Sequence, residues 1–429
     1  MILEEIQKQL EKQKRGGFLY PLYESYCLSN IPSAVLYSLG LRKTSPLSGI
    51  LDEAGIRPKK SRKVILLLVD AFGYNQWLRY AKQSGFLRRM TERAVVVPVT
   101  TVFPSETVPA LTTMHSGLTP QEHGLPAWWV YLEELDKIIS PFYFAPMGEK
   151  SRDTLLDAGV DPKILFTGKT IYQTLAASKI PSFTFINDAY AQSAYSKVAR
   201  AGSETISFIN SSDLVVNLRK KISEIPSPAY FYVYWDVLDH IAHTYGPHSE
   251  QSVTELNGFF HILRTEFLEK IDEHSAEEIV FMITADHGQI SVDPKKTLYL
   301  NEYPEVVKNF RMGPSGNKIL PWGSARAIFL AIKEEKLEES FRFLTKILGG
   351  KATVVKSKKA LQEGLFGRGT VHKKFLGRIG NILILPHHNT MVWYEHLKGE
   401  KDDCLGMHGG LSADEMLVPF AAANLARLL

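Results

Sequence analysis

Four stretches of the chain are unbroken apolar runs of strand length: VILLLVD (64–70), SFTFIND (182–188), YFYVYWD (230–236) and IVFMITAD (279–286). A strand with one wet face alternates apolar and polar residues, so continuous runs predict strands buried on both faces of a mostly parallel sheet. Amphipathic stretches lie between them. From Ser249 to Lys270, Leu256, Phe259, Phe260, Leu263, Phe267 and Leu268 recur at helical spacing. This alternation predicts an α/β layered fold, with a mostly parallel central sheet flanked by helices. Ligands of such sheets gather beyond the carboxyl ends of the strands, and Asp70 and Asp286 close two of the runs.

The pattern changes in the C-terminal third. Strand-like ARAIFLAI, a charged helix pattern from Glu334 to Leu348, and strand-like ATVVKS and NILILP suggest a small βαβ-like unit inserted between two pieces of the core. The expected organisation is an N-terminal helical segment (1–62) packed on the core, a core (63–320), an inserted α+β cap (321–399) and a return to the core with a closing strand (400–429). At the N-terminus, Ile2, Leu3, Ile6 and Leu10 among charges predict a short amphipathic helix ending at Gly16-Gly17.

Bulk properties exclude more than they assign. With 45% hydrophobic residues in 429, a large core can be buried. Lys and Arg number 50 against 46 Asp and Glu, a net charge of +4, too weak to argue for nucleic acid or a membrane surface as partner. The longest aliphatic run, Val64 to Val69, is far short of the roughly 20 residues that span a bilayer. The N-terminus lacks the apolar stretch of a secretory signal, so a cytoplasmic location is expected. Cys27 and Cys404 have no CxxC neighbour and read as two reduced thiols, not as a thiolate metal site.

Chemistry-bearing residues fall in five islands: Asp70 in LLLVDAFG, FPSETVPALTTMHSGLTPQEHG (103–124), WDVLDHIAHTYGPHS (235–249), TADHG (284–288) and HGGLSADEMLVP (408–419). A carboxylate ending a buried strand must be paired, hydrogen-bonded or on a metal to offset its desolvation. The third island holds two Asp-to-His pairs at four-residue spacing, Asp236/His240 and Asp239/His243, each on one helical face and each able to chelate a cation. Carboxylate with imidazole suits zinc, manganese or iron better than calcium. No glycine-rich phosphate loop is present, which argues against a kinase or dehydrogenase.

The second island resembles the nucleophile segment of the type I phosphodiesterase/nucleotide pyrophosphatase branch of the alkaline phosphatase superfamily, in which Thr-Phe-Pro-Asn is followed by Thr-Gly and Pro-x-x-His-Gly. Alignment on Phe103-Pro104 puts Val102 at the nucleophile, which valine cannot be. Alignment on Ser116-Gly117 and Pro120 to Gly124 puts Thr107 there. The other islands follow in family order. Asp70 resembles the first-strand ligand, and Asp286-His287 the later Asp-His pair. His243 to Pro247 resembles His-x-x-Gly-Pro, which selects Asp239/His243 over Asp236/His240, and His408 resembles the final histidine. Ala110 stands where the family commonly has Asn, so a hydrogen bond to phosphate is missing.

The resemblance implies an alkaline-phosphatase-like fold and two divalent ions, zinc as first choice and manganese second. Asp239, His243 and His408 would hold one, and Asp70, Asp286, His287 and the Thr107 oxygen the other. It further implies hydrolysis of a small phosphodiester or pyrophosphate substrate, a nucleotide among the candidates, through a phospho-threonine intermediate. The alternatives within the superfamily are a phosphomonoesterase or a phosphonate hydrolase. Outside enzymes, the alternative is a binding protein that keeps the fold without catalysis, whose mark would be a broken cage. Ser105 and Thr112 are the fallback nucleophiles. Trp128, Trp129, Tyr131, Phe142 and Tyr143 are candidate walls for a second ester substituent, against the plainer reading as core packing.

Overall fold

The computed structural model describes residues 2–60 and 62–429. The chain opens with α1 (Ile2–Gln13), which buries Ile6 and Leu10 against the core. The helix ends earlier than the glycine pair predicts. Gly16 and Gly17, with φ of 56° and 85°, form the turn of a small hairpin in which Lys14 pairs with Leu19 and Arg15 with Phe18. Two successive positive φ angles match the twist of a two-residue hairpin loop, so the glycines serve a turn and not a helix cap.

Six strands of the core follow: β1 (Lys63–Val69), β2 (Val95–Thr100), β3 (Ser182–Asn187), β4 (Glu204–Phe208), β5 (Ala229–Trp235) and β6 (Ile279–Thr284). The chain then forms a separate four-stranded sheet from β7 (Trp322–Ser324), β8 (Ala327–Leu330), β9 (Ala352–Lys356) and β10 (Ile382–Pro386), and returns to the core as β11 (Leu417–Asn424). The seven core strands lie in the order β2-β11-β6-β1-β5-β3-β4. β1 pairs in parallel with β5 and β6, and β3 in parallel with β5 and β4. Only β11 runs against its neighbours, antiparallel to both β6 and β2.

The four apolar runs are thus β1, β3, β5 and β6. Val64 to Val69 in β1 and all of β5 and β6 are buried, as strands covered on both faces must be. At about 1.5–3 kcal/mol for each large aliphatic side chain taken from water, burial on both faces holds these three strands firmly in the sheet. Their register decides function. Leu68 lies opposite both Tyr234 and Thr284, so Asp70, Asp236 and Asp286 emerge together at one edge of the sheet.

Two helices start at that edge, α2 (Thr107–Ser116) after β2 and α3 (Val237–Tyr245) after β5. α4 (Glu250–Glu266) is capped by Ser249, whose hydroxyl accepts from the Ser252 amide at 3.2 Å. Its apolar face covers the sheet, with Phe259 stacked on Trp235 at 4.1 Å between ring centroids.

The inserted sheet has the order β7-β8-β10-β9, with α5 (Leu337–Ile347) packed on it around Leu344. Neighbouring strands pair antiparallel, so β8 and β9 run parallel on either side of β10 with α5 connecting them, a split form of the expected βαβ-like unit. Gly323 in β7 bridges to Trp129, which brings this sheet to the mouth of the strand-end cleft. Both cysteines are free thiols. Among the described residues no helix is long and apolar enough to cross a membrane.

Candidate active site

Asp70 follows β1 directly, and its amide donates to the Trp235 carbonyl at 2.9 Å, which locks the ends of β1 and β5 together. The Tyr234 hydroxyl donates to Asp70 Oδ2. Asp286 and His287 lie two and three residues past the end of β6. Asp286 Oδ1 accepts from the Ala71 amide at 3.2 Å and from the His287 amide at 2.9 Å. The glycine that follows is needed for close approach: a Cβ on Gly288 would fall 1.9 Å from the Asp414 carbonyl oxygen. His408 precedes β11, next to Gly409 at φ 120°, a conformation that disfavours side chains. Asp239 and His243 occupy successive turns of α3, with His243 Nε2 3.4 Å from Asp239 Oδ1.

Six side chains separated by up to some 340 positions therefore converge. His287 Nε2 lies 3.5 Å from Asp70 Oδ1 and 3.3 Å from Asp286 Oδ2, and His408 Nε2 lies 3.7 Å from Asp239 Oδ1. The His287 and His408 rings stack at 3.7 Å, tilted by only 12°. The ligand-type atoms form two abutting groups, Asp70/Asp286/His287 and Asp239/His287/His408. Thr107, the first residue of α2, brings its Oγ1 to 3.2 Å from His287 Nε2.

Whether this donor set fits cations is answered by its hydrogen bonds. His287 Nδ1 faces the Gly288 carbonyl at 3.1 Å, His408 Nδ1 the Ser105 carbonyl at 3.0 Å and His243 Nδ1 the Gly406 carbonyl at 2.8 Å. A carbonyl only accepts, so each Nδ1 carries the proton and each Nε2 turns its lone pair into the cage, as metal-binding imidazoles do. Asp70 Oδ1 and Asp286 Oδ2 are buried acceptors without any protein donor. The His287 and His408 lone pairs and two orphaned carboxylate oxygens, with His243 beside Asp239, form a set that divalent cations satisfy.

Charge points the same way. Burial, with Asp286 and Asp239 nearby, drives the Asp70 carboxyl well above its ordinary range, and burial lifts Asp286 to about 7. Burial lowers His287 to about 4 and His408 to about 3. Around Asp239, burial is outweighed by His243, His408 and His287, which hold the carboxyl below its usual value. Asp239 in turn overcomes the burial of His243 and raises it.

The fallback residues are engaged elsewhere. Ser105 Oγ donates to the Gly410 carbonyl at 2.7 Å, and Thr112 Oγ1 to Val108 O at 2.7 Å. Asp236 accepts from Tyr190 at 2.7 Å, while His240 is exposed, so this pair does not close on a common point with the cage. A cavity of about 640 Å³ opens over Thr107, walled by Trp128, Trp129, Phe142 and Tyr143 as expected. Tyr131 is not in that wall. It is buried beneath, donating to Asp136 at 2.6 Å and packed on Trp322.

Sequence reasoning missed several residues here. Tyr234 reads as one more apolar position of a buried strand, and its hydroxyl on Asp70 was the signal. Glu106 reads as a turn residue, yet it is fully buried beside Thr107; burial lifts its carboxyl to about 8, and Oε1 has no partner. Arg326, between β7 and β8, forms a two-pronged buried ion pair with Glu415 at 2.9 Å and 2.9 Å, and Glu415 Oε1 also accepts from the Gly410 amide. That pair ties the inserted sheet to the loop that carries His408.

The profile of the family described as type I phosphodiesterase / nucleotide pyrophosphatase matches residues 64–411. Comparison with curated proteins by sequence gave no match. Among solved structures, murine ectonucleotide pyrophosphatase / phosphodiesterase 5 superposes with a TM-score of 0.64 at 18% identity, over 84% of this chain and 88% of that one. An inactive form of the murine protein in complex with AMP gives a TM-score of 0.63 at 18% identity with the same coverage. The human protein gives 0.63 at 20% identity, also over 84% and 88%. At these identities the likeness shows the fold, that of the alkaline phosphatase superfamily.

Proposed function

Because the chain belongs to the type I phosphodiesterase/nucleotide pyrophosphatase family, we propose that it is a metal-dependent hydrolase of phosphodiester or pyrophosphate bonds, with Thr107 as nucleophile. The observation that carries this reading is the Thr107 hydroxyl 3.2 Å from His287 Nε2, at the meeting point of the two ligand groups. Asp70, Asp286, His287 and Thr107 would hold one divalent cation, and Asp239, His243 and His408 the other, with zinc the first choice for such a nitrogen and oxygen set. When bound, the cations supply positive charge that stabilises a threonine alkoxide and the oxygens of the phosphoryl group.

The protein's own groups do the rest. The first-turn amides of α2 have no intrahelical acceptor, and together with the helix dipole they favour a phosphoryl group over Thr107. Tyr234 and the Ala71 amide fix the two carboxylates, so the ligand atoms need little reorganisation. A new bond forms between Thr107 Oγ1 and phosphorus as the opposite ester bond breaks, and the leaving alcohol takes up a proton. Water then cleaves the phospho-threonine, releasing the phosphate monoester and restoring the hydroxyl. The nucleotide bound by the murine relative makes a nucleotide diester a first substrate to try.

Thr107→Ala tests this directly. It should lower turnover of bis-p-nitrophenyl phosphate at least about a thousand-fold, with metal content by elemental analysis unchanged. A variant that keeps normal rates removes Thr107 from the chemistry.

A further inference from the structure

The cavity over Thr107 has a second pole that the hydrolysis itself does not use. Arg152 is the one Lys or Arg that lines it among the described residues. Its guanidinium carbon lies over Tyr143, 4.0 Å from the ring centroid, with Phe142 and Tyr190 each at 5.2 Å. One nitrogen donates to the Phe142 carbonyl at 3.2 Å, and no carboxylate among the described residues forms an ion pair with it. A cation held in an aromatic frame keeps its planar edge free for an acceptor, and stacking limits the freedom lost on binding.

Arg152 stands at a defined place relative to the cage. Along one wall Tyr190 packs edge-on to Tyr234 at 6.4 Å, and Tyr234 donates to Asp70. Along the other, Trp128 packs on Phe142 at 5.5 Å and on Tyr143 at 5.9 Å, and its amide donates to Glu106, the neighbour of Thr107. Thr107 and Asp70 line one part of this slot and the guanidinium another, with Tyr190 and Tyr234 following one another between Arg152 and Asp70. Asp236 lies on the same wall, bound to Tyr190 through Oδ2, while its buried Oδ1 has no donor.

We infer that this slot takes the second substituent of the phosphodiester, and that Arg152 selects a substituent ending in an anionic group, a second phosphate or a carboxylate. The inference rests on the hydrolase reading and names its substrate class. Asp236 Oδ1 accepts a hydroxyl of the same arm, which fits a hydroxylated linker between the two acidic groups.

The experiment uses the zinc-reconstituted full chain and four p-nitrophenyl phosphodiesters. Their second arms are matched in length and end in a methyl group, a carboxylate, a phosphate or a trimethylammonium group. The expected result is a kcat/KM for at least one anionic arm ten or more times that of the methyl arm, carried in KM, with the ammonium arm the poorest. The carboxylate and phosphate arms separate the two anion sources. In Arg152→Gln the ratio of anionic to methyl arm should fall toward one, and Arg152→Lys should restore part of it, which a packing role would not do. Equal values for all arms, a best value for the ammonium arm, or a ratio that survives Arg152→Gln would overturn the inference. Calorimetric binding of the corresponding non-hydrolysable phosphonates reads the same selectivity without turnover. Charge-selective binding that Arg152→Gln abolishes, with no ester cleaved, would sink the hydrolase reading and leave this one standing.

Discussion

Asp286→Asn should stabilise the protein in the absence of zinc and blunt its stabilisation by zinc. In the protein alone, Asp286 faces Asp70 across His287, with Oδ2 unpartnered, and burial lifts its carboxyl from 3.8 to about 7. An acid whose folded value exceeds its unfolded one contributes fully to stability below the unfolded value, here about pH 4, and loses that contribution as pH rises through about 7. At about 1.4 kcal/mol per pH unit, the displacement corresponds to a ceiling of roughly 4 kcal/mol above pH 8. Asn keeps an oxygen for the Ala71 and His287 amides and offers Asp70 a donor in place of a charge. In chelator at pH 8 the variant should therefore be more stable than the parent by on the order of 2–4 kcal/mol, and by less at pH 5. Zinc at a thousand times its dissociation constant stabilises the parent by about 4 kcal/mol, and it should do much less for a variant that lacks an anionic ligand. Urea unfolding at both pH values, with chelator and with zinc, reads all four conditions. A variant less stable than the parent in chelator at pH 8, or a zinc effect of equal size in both proteins, would refute the account of a cage strained by its own charge.

Three further changes separate parts of the site. Asp239→Asn should lower metal content by elemental analysis, whereas unchanged content would favour Asp236/His240 as the chelating pair. Tyr234→Phe removes the donor on Asp70 and should weaken zinc binding about 10- to 100-fold in a chelator competition, with little change in the far-UV spectrum. Arg326→Ala leaves Glu415 buried without its cation and should cost about 3–5 kcal/mol in denaturant unfolding, while loosening the loop of His408.

The parts of the molecule legible in the sequence are those that local residue order determines. β1, β3, β5 and β6 are continuous apolar runs, and Asp70, Asp286 and His287 sit within three residues of a strand end, so a short segment carries both the element and its ligand. β2 and β4 went unread because neither is a clean run: β2 contains Pro98, which lowers strand preference, and β4 is an edge strand with exposed positions. Tyr234 acts on a residue 164 positions away and Arg326 on one 89 away, and no local pattern encodes either pairing. The hairpin at Gly16-Gly17 failed for a different reason: glycine after a helix pattern marks a cap or a turn equally well, and the partner strand decides. Arg152 and Glu106 belong to a third class, ordinary in sequence and singular only because the fold places them in one cavity.

Formal charge connects the cage to the slot. With the two divalent cations of the proposed function in place, Asp70, Asp239 and Asp286 would set three negative charges against four positive ones and leave one positive charge beside Thr107. Glu106 is buried beside Thr107, and burial lifts its carboxyl to about 8, which disfavours a further negative charge there. One net positive charge matches a phosphodiester monoanion. A phosphomonoester dianion would exceed it by one and call for another cation at the phosphoryl group, whereas Arg152, the only Lys or Arg lining the cavity among the described residues, is separated from Asp70 by Tyr190 and Tyr234. Asp236, Asp402 and Asp403 line the same cavity, so a second negative charge on the substrate is favoured only on an arm that reaches Arg152.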